Sequence, residues 1–223
     1  MATLARRLRL GVTSLFMLSG LVGMLCESGF GQTPFVPIPP VVKFTNGQYT
    51  GTLQTQGMTL PITGTLEYLS GTSPRTKLDV LGTTGGQQIT SDSWVTSTPT
   101  VISEWASTNP TTCGKEVLSG GSYPQCTAWN QTGNAWSLEC TVNVQGNQTT
   151  LDVSAVVNSG NQLLQLQENT TGDMTDSFTI VMTSQSTTPP PISDFDLPGI
   201  CTNGNNQGEN GQCTGTIPSI CLP

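Results

Sequence analysis

WSLECTVNVQGNQTTLDVSAVV, running from Trp136 to Val157, is the stretch that decides the fold class. Trp136, Leu138, Cys140, Val142 and Val144 alternate with Ser137, Glu139, Thr141 and Asn143, and after Gln145-Gly146-Asn147-Gln148 the alternation resumes through Leu151, Val153, Ala155 and Val157. Side chains of a strand point alternately to its two faces, so two period-2 runs joined by a short Gly/Asn turn predict a β-hairpin with one apolar and one wet face. Cys140 falls in the apolar row, and Asn147-Gln148-Thr149 is an N-glycosylation acceptor at the turn.

Working outward, the same period recurs. Leu60, Ile62, Leu66 and Tyr68 keep even spacing, with Gly64 read as a bulge or bend. Phe44 to Leu53 reads as a strand broken at Asn46-Gly47, Arg75 to Val80 starts another, and Trp94 to Trp105 supplies two short ones. Leu163 to Leu166 and Phe178 to Met182 follow, separated by a turn at Asn169-Thr170-Thr171. From Cys113 to Asn134 the period is lost, which predicts an irregular loop with one helical turn at Lys115 to Leu118. Eight to nine strands without any βαβ alternation predict an all-β domain: an antiparallel curved sheet, as a half-barrel or two-sheet sandwich, with a disulfide-stapled loop and a C-terminal tail.

The expected organisation has four parts. Residues 1–31 read as a signal peptide: Arg6, Arg7 and Arg9 precede an apolar run from Gly11 to Leu25, and small residues surround Phe30. Residues 32–42 are a Pro-rich lead-in, residues 43–186 the antiparallel β domain, and residues 187–223 a Pro-rich exit and Cys-containing tail. The expected location is therefore secreted and extracellular, with no stable membrane anchor after cleavage. Past residue 31 only Lys43, Arg75, Lys77 and Lys115 oppose thirteen acidic residues, a net charge of −9. So acidic a chain without a basic patch is a poor partner for nucleic acid or anionic membrane.

Six cysteines remain past that point: Cys113, Cys126, Cys140, Cys201, Cys213 and Cys221. An even set in a secreted chain predicts three disulfides, and of the fifteen pairings any complete set ties the tail to the body, because three cysteines lie on each side of Leu197. The preferred set is Cys113–Cys201, Cys126–Cys140 and Cys213–Cys221. Asn130, Asn147 and Asn169 each open an N-x-[ST] acceptor at an expected loop or turn.

The chain has no histidine, which excludes Ser-His-Asp and Cys-His catalysis. No phosphate-binding or dinucleotide motif is present. Paired carboxylates such as Asp92 with Glu104, or Asp173 with Asp176, are the remaining catalytic option, that of a glycosidase; solvated surface is the simpler reading. No catalytic residue is assigned and the expectation is a non-enzyme. Asp173 and Asp176 also form the candidate metal site, for calcium, since hard cations take several oxygen ligands. Trp94, Trp105 and Trp136, with Tyr68, Leu138 and Val153, are the candidate ligand pocket, although the same apolar face serves a filled core equally well.

Three fragments carry a family resemblance. Phe195-Asp196-Leu197-Pro198-Gly199-Ile200-Cys201 resembles the closing Phe-x-x-Pro-x-x-Cys of ependymin-related secreted glycoproteins. Arg75 to Val80 resembles their early basic-then-Asp strand, and Cys113-Gly114-Lys115-Glu116-Val117-Leu118 their Cys-x-Lys-x-x-Leu. The resemblance implies a fold similar to bacterial lipoprotein carriers of the LolA type, with curved sheets around a hydrophobic pocket. It implies binding of a lipid or other apolar small molecule, with no required cofactor and calcium as an accessory. The alternative expectation is an adhesion module with an immunoglobulin-like sandwich, partnered by extracellular matrix or a cell surface.

Overall fold

The computed structural model describes residues 37–55, 58–84, 87–97, 101–108, 112–119, 125–144, 147–171 and 176–202. The expected signal peptide, Cys213, Cys221 and Asp173 lie outside the described residues.

Twelve strands form one antiparallel sheet: β1 Phe44–Thr55, β2 Met58–Leu69, β3 Arg75–Thr84, β4 Gln87–Ser97, β5 Val101–Thr108, β6 Thr112–Ser119, β7 Gln125–Cys126, β8 Asn130–Thr132, β9 Ala135–Val144, β10 Asn147–Val157, β11 Leu163–Thr171 and β12 Asp176–Gln185. Their order is β6-β5-β4-β3-β2-β1-β12-β11-β10-β9-β7, with β8 added on β9. Two meanders are thus joined through β1 and β12, and the chain passes between its two edges from β6 to β7. The sheet is not closed. It is nevertheless curled. Eleven strands about 4.8 Å apart would span roughly 50 Å if laid flat, whereas the five residues between Ser119 and Gln125 reach at most about 20 Å.

The all-β expectation is met, as a single continuous sheet rather than the two sheets of an immunoglobulin-like sandwich. The hairpin that opened the sequence reading pairs Leu138 with Val153 and Cys140 with Leu151. Other local expectations are corrected. Asn46-Gly47 does not break β1: Gly47 continues the pairing to both neighbours, and a Cβ there would strike the Ser184 carbonyl of β12. Gly64 is no bulge either, since it keeps register with Tyr49 and Val80. Tyr49 crosses over it, and its hydroxyl donates to the Asp79 carbonyl at 2.8 Å. Only a residue without a side chain leaves room for that ring.

The described residues of the Cys113–Asn134 segment carry the stapling disulfide but are less irregular than expected. They contribute to β6, β7 and β8, and Lys115 to Leu118 is strand rather than a helical turn. Their hydrogen bonds come from β5 and β9, partners that their own residue pattern does not announce. Residues 89–97 and 101–105 likewise belong to two full strands, β4 and β5.

After β12 the chain makes a short 3-10 helix, Ile192–Phe195, and one helical turn, α1, Gly199–Thr202. The first packs against β3 and the second against β6. No helix among the described residues is long and apolar enough to cross a membrane.

Candidate functional site

Register assigns each residue to one face of the sheet. On the inner face a single row runs across six strands: Leu138 on β9, Val153 on β10, Glu168 on β11, Phe178 on β12, Leu53 on β1 and Leu60 on β2. The next row holds Trp136, Ala155, Leu166, Ile180, Gly51 and Ile62. The apolar residues of these rows, with Leu78 and Val80 of β3 and Val95 of β4, belong to one continuous cluster. With only two short helical turns after β12 among the described residues, the sheet covers this face by curling on itself.

Of the expected pocket residues, Tyr68, Trp136, Leu138 and Val153 meet in this cluster. Burial pushes the Tyr68 phenol up to about 12. Trp136 stacks edge-on against Trp129, ring centroids 6.5 Å apart. Trp94 does not join them. Val95 and Ser93 take the inner positions of β4, so parity sends Trp94 to the outer face, where it packs with Cys201 and Leu197. Trp105 stands opposite Trp94 in the ladder, and its side chain lies outside the description.

One inner residue was missed by sequence reasoning. Glu168 is fully buried, the only residue of a charged type among the buried described residues. Neither carboxylate oxygen has a hydrogen-bond partner. Burial alone pushes its carboxyl up to about 8, so at neutral pH it is mostly protonated. The signal was present: Leu166, Glu168 and Thr170 share one parity, but the expected strand stopped at Leu166, two residues short of it.

The outer face of β2 to β4 is organised differently. Lys77 Nζ lies 3.6 Å from Glu67 Oε2 and 3.6 Å from Asp79 Oδ2, electrostatic contacts too long for hydrogen bonds. Thr65 Oγ1 donates to Asp79 Oδ2. Asp92 stands beside Asp79 in the ladder. Glu67 and Asp92 are both raised, first by burial, with Lys77 opposing the shift in each case; Asp194 of the 3-10 helix adds to the rise at Glu67. This group is a charged seam beneath the C-terminal segment. The expected Asp92–Glu104 pair is not opposed in the ladder: Asp92 faces Ser107, and Glu104 faces Val95 and Glu116.

The remaining expected sites fall as follows. Cys126 and Cys140 are directly opposed on β7 and β9 and form the expected disulfide. Cys201 is also disulfide-bonded, in a helix that packs on β6, the strand carrying Cys113. Asn130 is exposed, but on a strand rather than a loop; Asn147 opens β10, and Asn169 lies within β11, where its Oδ1 accepts from Gln167 at 3.3 Å. Asp176 begins β12 opposite Thr55. No group of three or more metal-ligating residues occurs among the described residues. No protein-family model and no curated protein matches the chain.

Proposed function

We propose that the protein is a secreted, non-enzymatic carrier that holds an apolar, lipid-like molecule against the inner face of its curled sheet. The observation that carries this reading is the continuous cluster of buried apolar residues contributed by β1–β4 and β9–β12 of a single open sheet. A sheet with free edges offers a route by which an apolar molecule enters, and concave apolar faces are the usual seat of such ligands. The acidic outer surface and the disulfides suit an extracellular setting. The same reading pairs Cys201 with Cys113, on the strand that α1 packs against.

The test is native mass spectrometry and solvent extraction of protein secreted by its own host, followed by titration with the neutral apolar fluorophore N-phenyl-1-naphthylamine. Co-purified apolar molecules and saturable fluorescence enhancement support the carrier. A protein that is empty as isolated and takes up no fluorophore overturns it. Peptide mapping that joins Cys201 to a cysteine other than Cys113 corrects the disulfide assignment.

A further inference from the structure

Glu168 occupies the middle of the apolar row that the carrier would use. Its neighbours across the ladder are Val153 and Phe178, and along its own strand Leu166 and Thr170. The facing residues of β10 (Leu151, Val153 and Ala155) and of β12 (Phe178 and Ile180) are all apolar. Asp152 of β10 is exposed, on the opposite parity. Asp176 shares the parity of Phe178 at the start of β12, and burial is the sole cause of the Glu168 shift. A buried carboxyl with two bare oxygens is costly to fold around unless something supplies their donors.

We propose that Glu168 is the polar anchor of the ligand site, and that the ligand is an apolar molecule bearing a basic nitrogen, held by its ammonium group. The proposal rests on the carrier reading and adds the ligand's head group to it. Once ionised, both Glu168 oxygens need donors and the charge needs a partner; an ammonium brings three N–H donors and a positive charge, whereas an alcohol brings one donor and no charge. A carboxylate or phosphate head would meet a like charge or the neutral acid, with no cation among the buried described residues to receive it. The net charge of the chain, −7 overall, draws cations toward it as well.

Binding carries a proton balance. Near pH 7 Glu168 is mostly a neutral acid. Pairing with an ammonium ion ionises it, its proton passes to the buffer, and the ligand keeps its own. Affinity for a cationic amine therefore rises about tenfold per pH unit below about 8 and levels off above it.

The experiment displaces N-phenyl-1-naphthylamine from the intact secreted protein with dodecylamine, dodecanol and dodecanoic acid, between pH 6 and 9. Dodecylamine is expected to compete at least about tenfold better than the other two, with close to one proton released per bound amine near pH 7 by calorimetry in buffers of different ionisation enthalpy. Glu168→Gln and Glu168→Leu, each checked for native circular dichroism, keep fluorophore binding and lose the amine preference, the proton release and the pH dependence. If the fluorophore binds but the three competitors are equal, or the amine preference survives both substitutions, the anchor is wrong and the carrier stands. If the folded protein binds no fluorophore and none of the three competitors, the carrier reading itself fails, and the anchor with it.

Discussion

The two faces of the sheet treat carboxylates in opposite ways. On the outer face Glu67 and Asp79 share Lys77, Thr65 donates to Asp79, and the side chains keep from 16% to 32% of their exposure. On the inner face Glu168 has neither cation, donor nor water-facing surface. The outer carboxylates are partly solvated and have a lysine between them, although Glu67 Oε2 and Asp79 Oδ1 are themselves without a hydrogen bond. The inner one works against folding, because the residues opposite it on β10 and β12, Val153 and Phe178, are apolar. Single buried atoms of Thr45, Glu67, Thr76, Asp79 and Trp94 also lack a hydrogen bond, but of the described residues Glu168 alone has both carboxylate oxygens bare.

The largest expected effect sharpens this contrast in apolar terms. Leu166, buried beside Glu168 on β11, opposes Ile180 across the ladder, whereas Val181 on β12 is 46% exposed. Leu166→Ala should cost about 2–5 kcal/mol in urea unfolding, and Val181→Ala no more than about 0.5 kcal/mol. Equal losses would mean that the inner face is not the core.

Next is the pH dependence of the acids. Glu168 titrates at 4.5 as a free side chain and at about 8 in the folded protein, so between those values the folded state holds the extra proton. Its contribution is fullest below pH 4.5, declines as pH rises through the window at up to about 1.4 kcal/mol per unit, and is constant above 8. Glu67 and Asp92, raised chiefly by burial, add weakly with the same sign. Melting temperatures of the unliganded protein should fall from pH 5 to pH 8, and Glu168→Gln should flatten most of that fall. A wild-type profile without slope would show that Glu168 is not held in an apolar site.

Smaller effects probe the contacts that tie β1 to β3 and dress the outer face. Tyr49→Phe removes the hydroxyl bonded to the Asp79 carbonyl and should cost about 1 kcal/mol in denaturant titration. A neutral result would place that hydroxyl on water instead. Lys77→Met leaves Glu67 and Asp79 without their shared cation and should cost about 0.5–1 kcal/mol, shrinking at high salt. A loss above about 2 kcal/mol that ignores salt would assign Lys77 a buried role rather than a place in a partly exposed seam.

Much of the sheet was legible wherever a strand carries its own alternating pattern. The Trp136–Val157 hairpin, the even spacing of Ile62, Leu66 and Tyr68, and Phe178 with Ile180 state which side chains share a face, because the pleat converts sequence parity into direction. The candidate site was partly legible for the same reason: Tyr68, Trp136, Leu138 and Val153 meet as parity foretells. Trp94 went to the other side because its neighbours Ser93 and Val95, not the tryptophan, hold the inner positions of β4. A large aromatic is a weak guide to direction when both faces of a strand are covered.

What the amino-acid order determined by itself is local: strand period, turn chemistry, acidity, and the absence of any histidine. Pairing across the chain was decided by tertiary structure alone. Nothing near Lys115 or Gln131 in sequence states that β5 and β9 will complete their hydrogen bonds, so the segment read as loop until its partners were in place. The status of Glu168 was settled the same way. A glutamate in an alternating strand is ordinary on an exposed face, and only the assembly of β9 to β12 with β1, curled over one apolar interior, removes its water and leaves both oxygens bare.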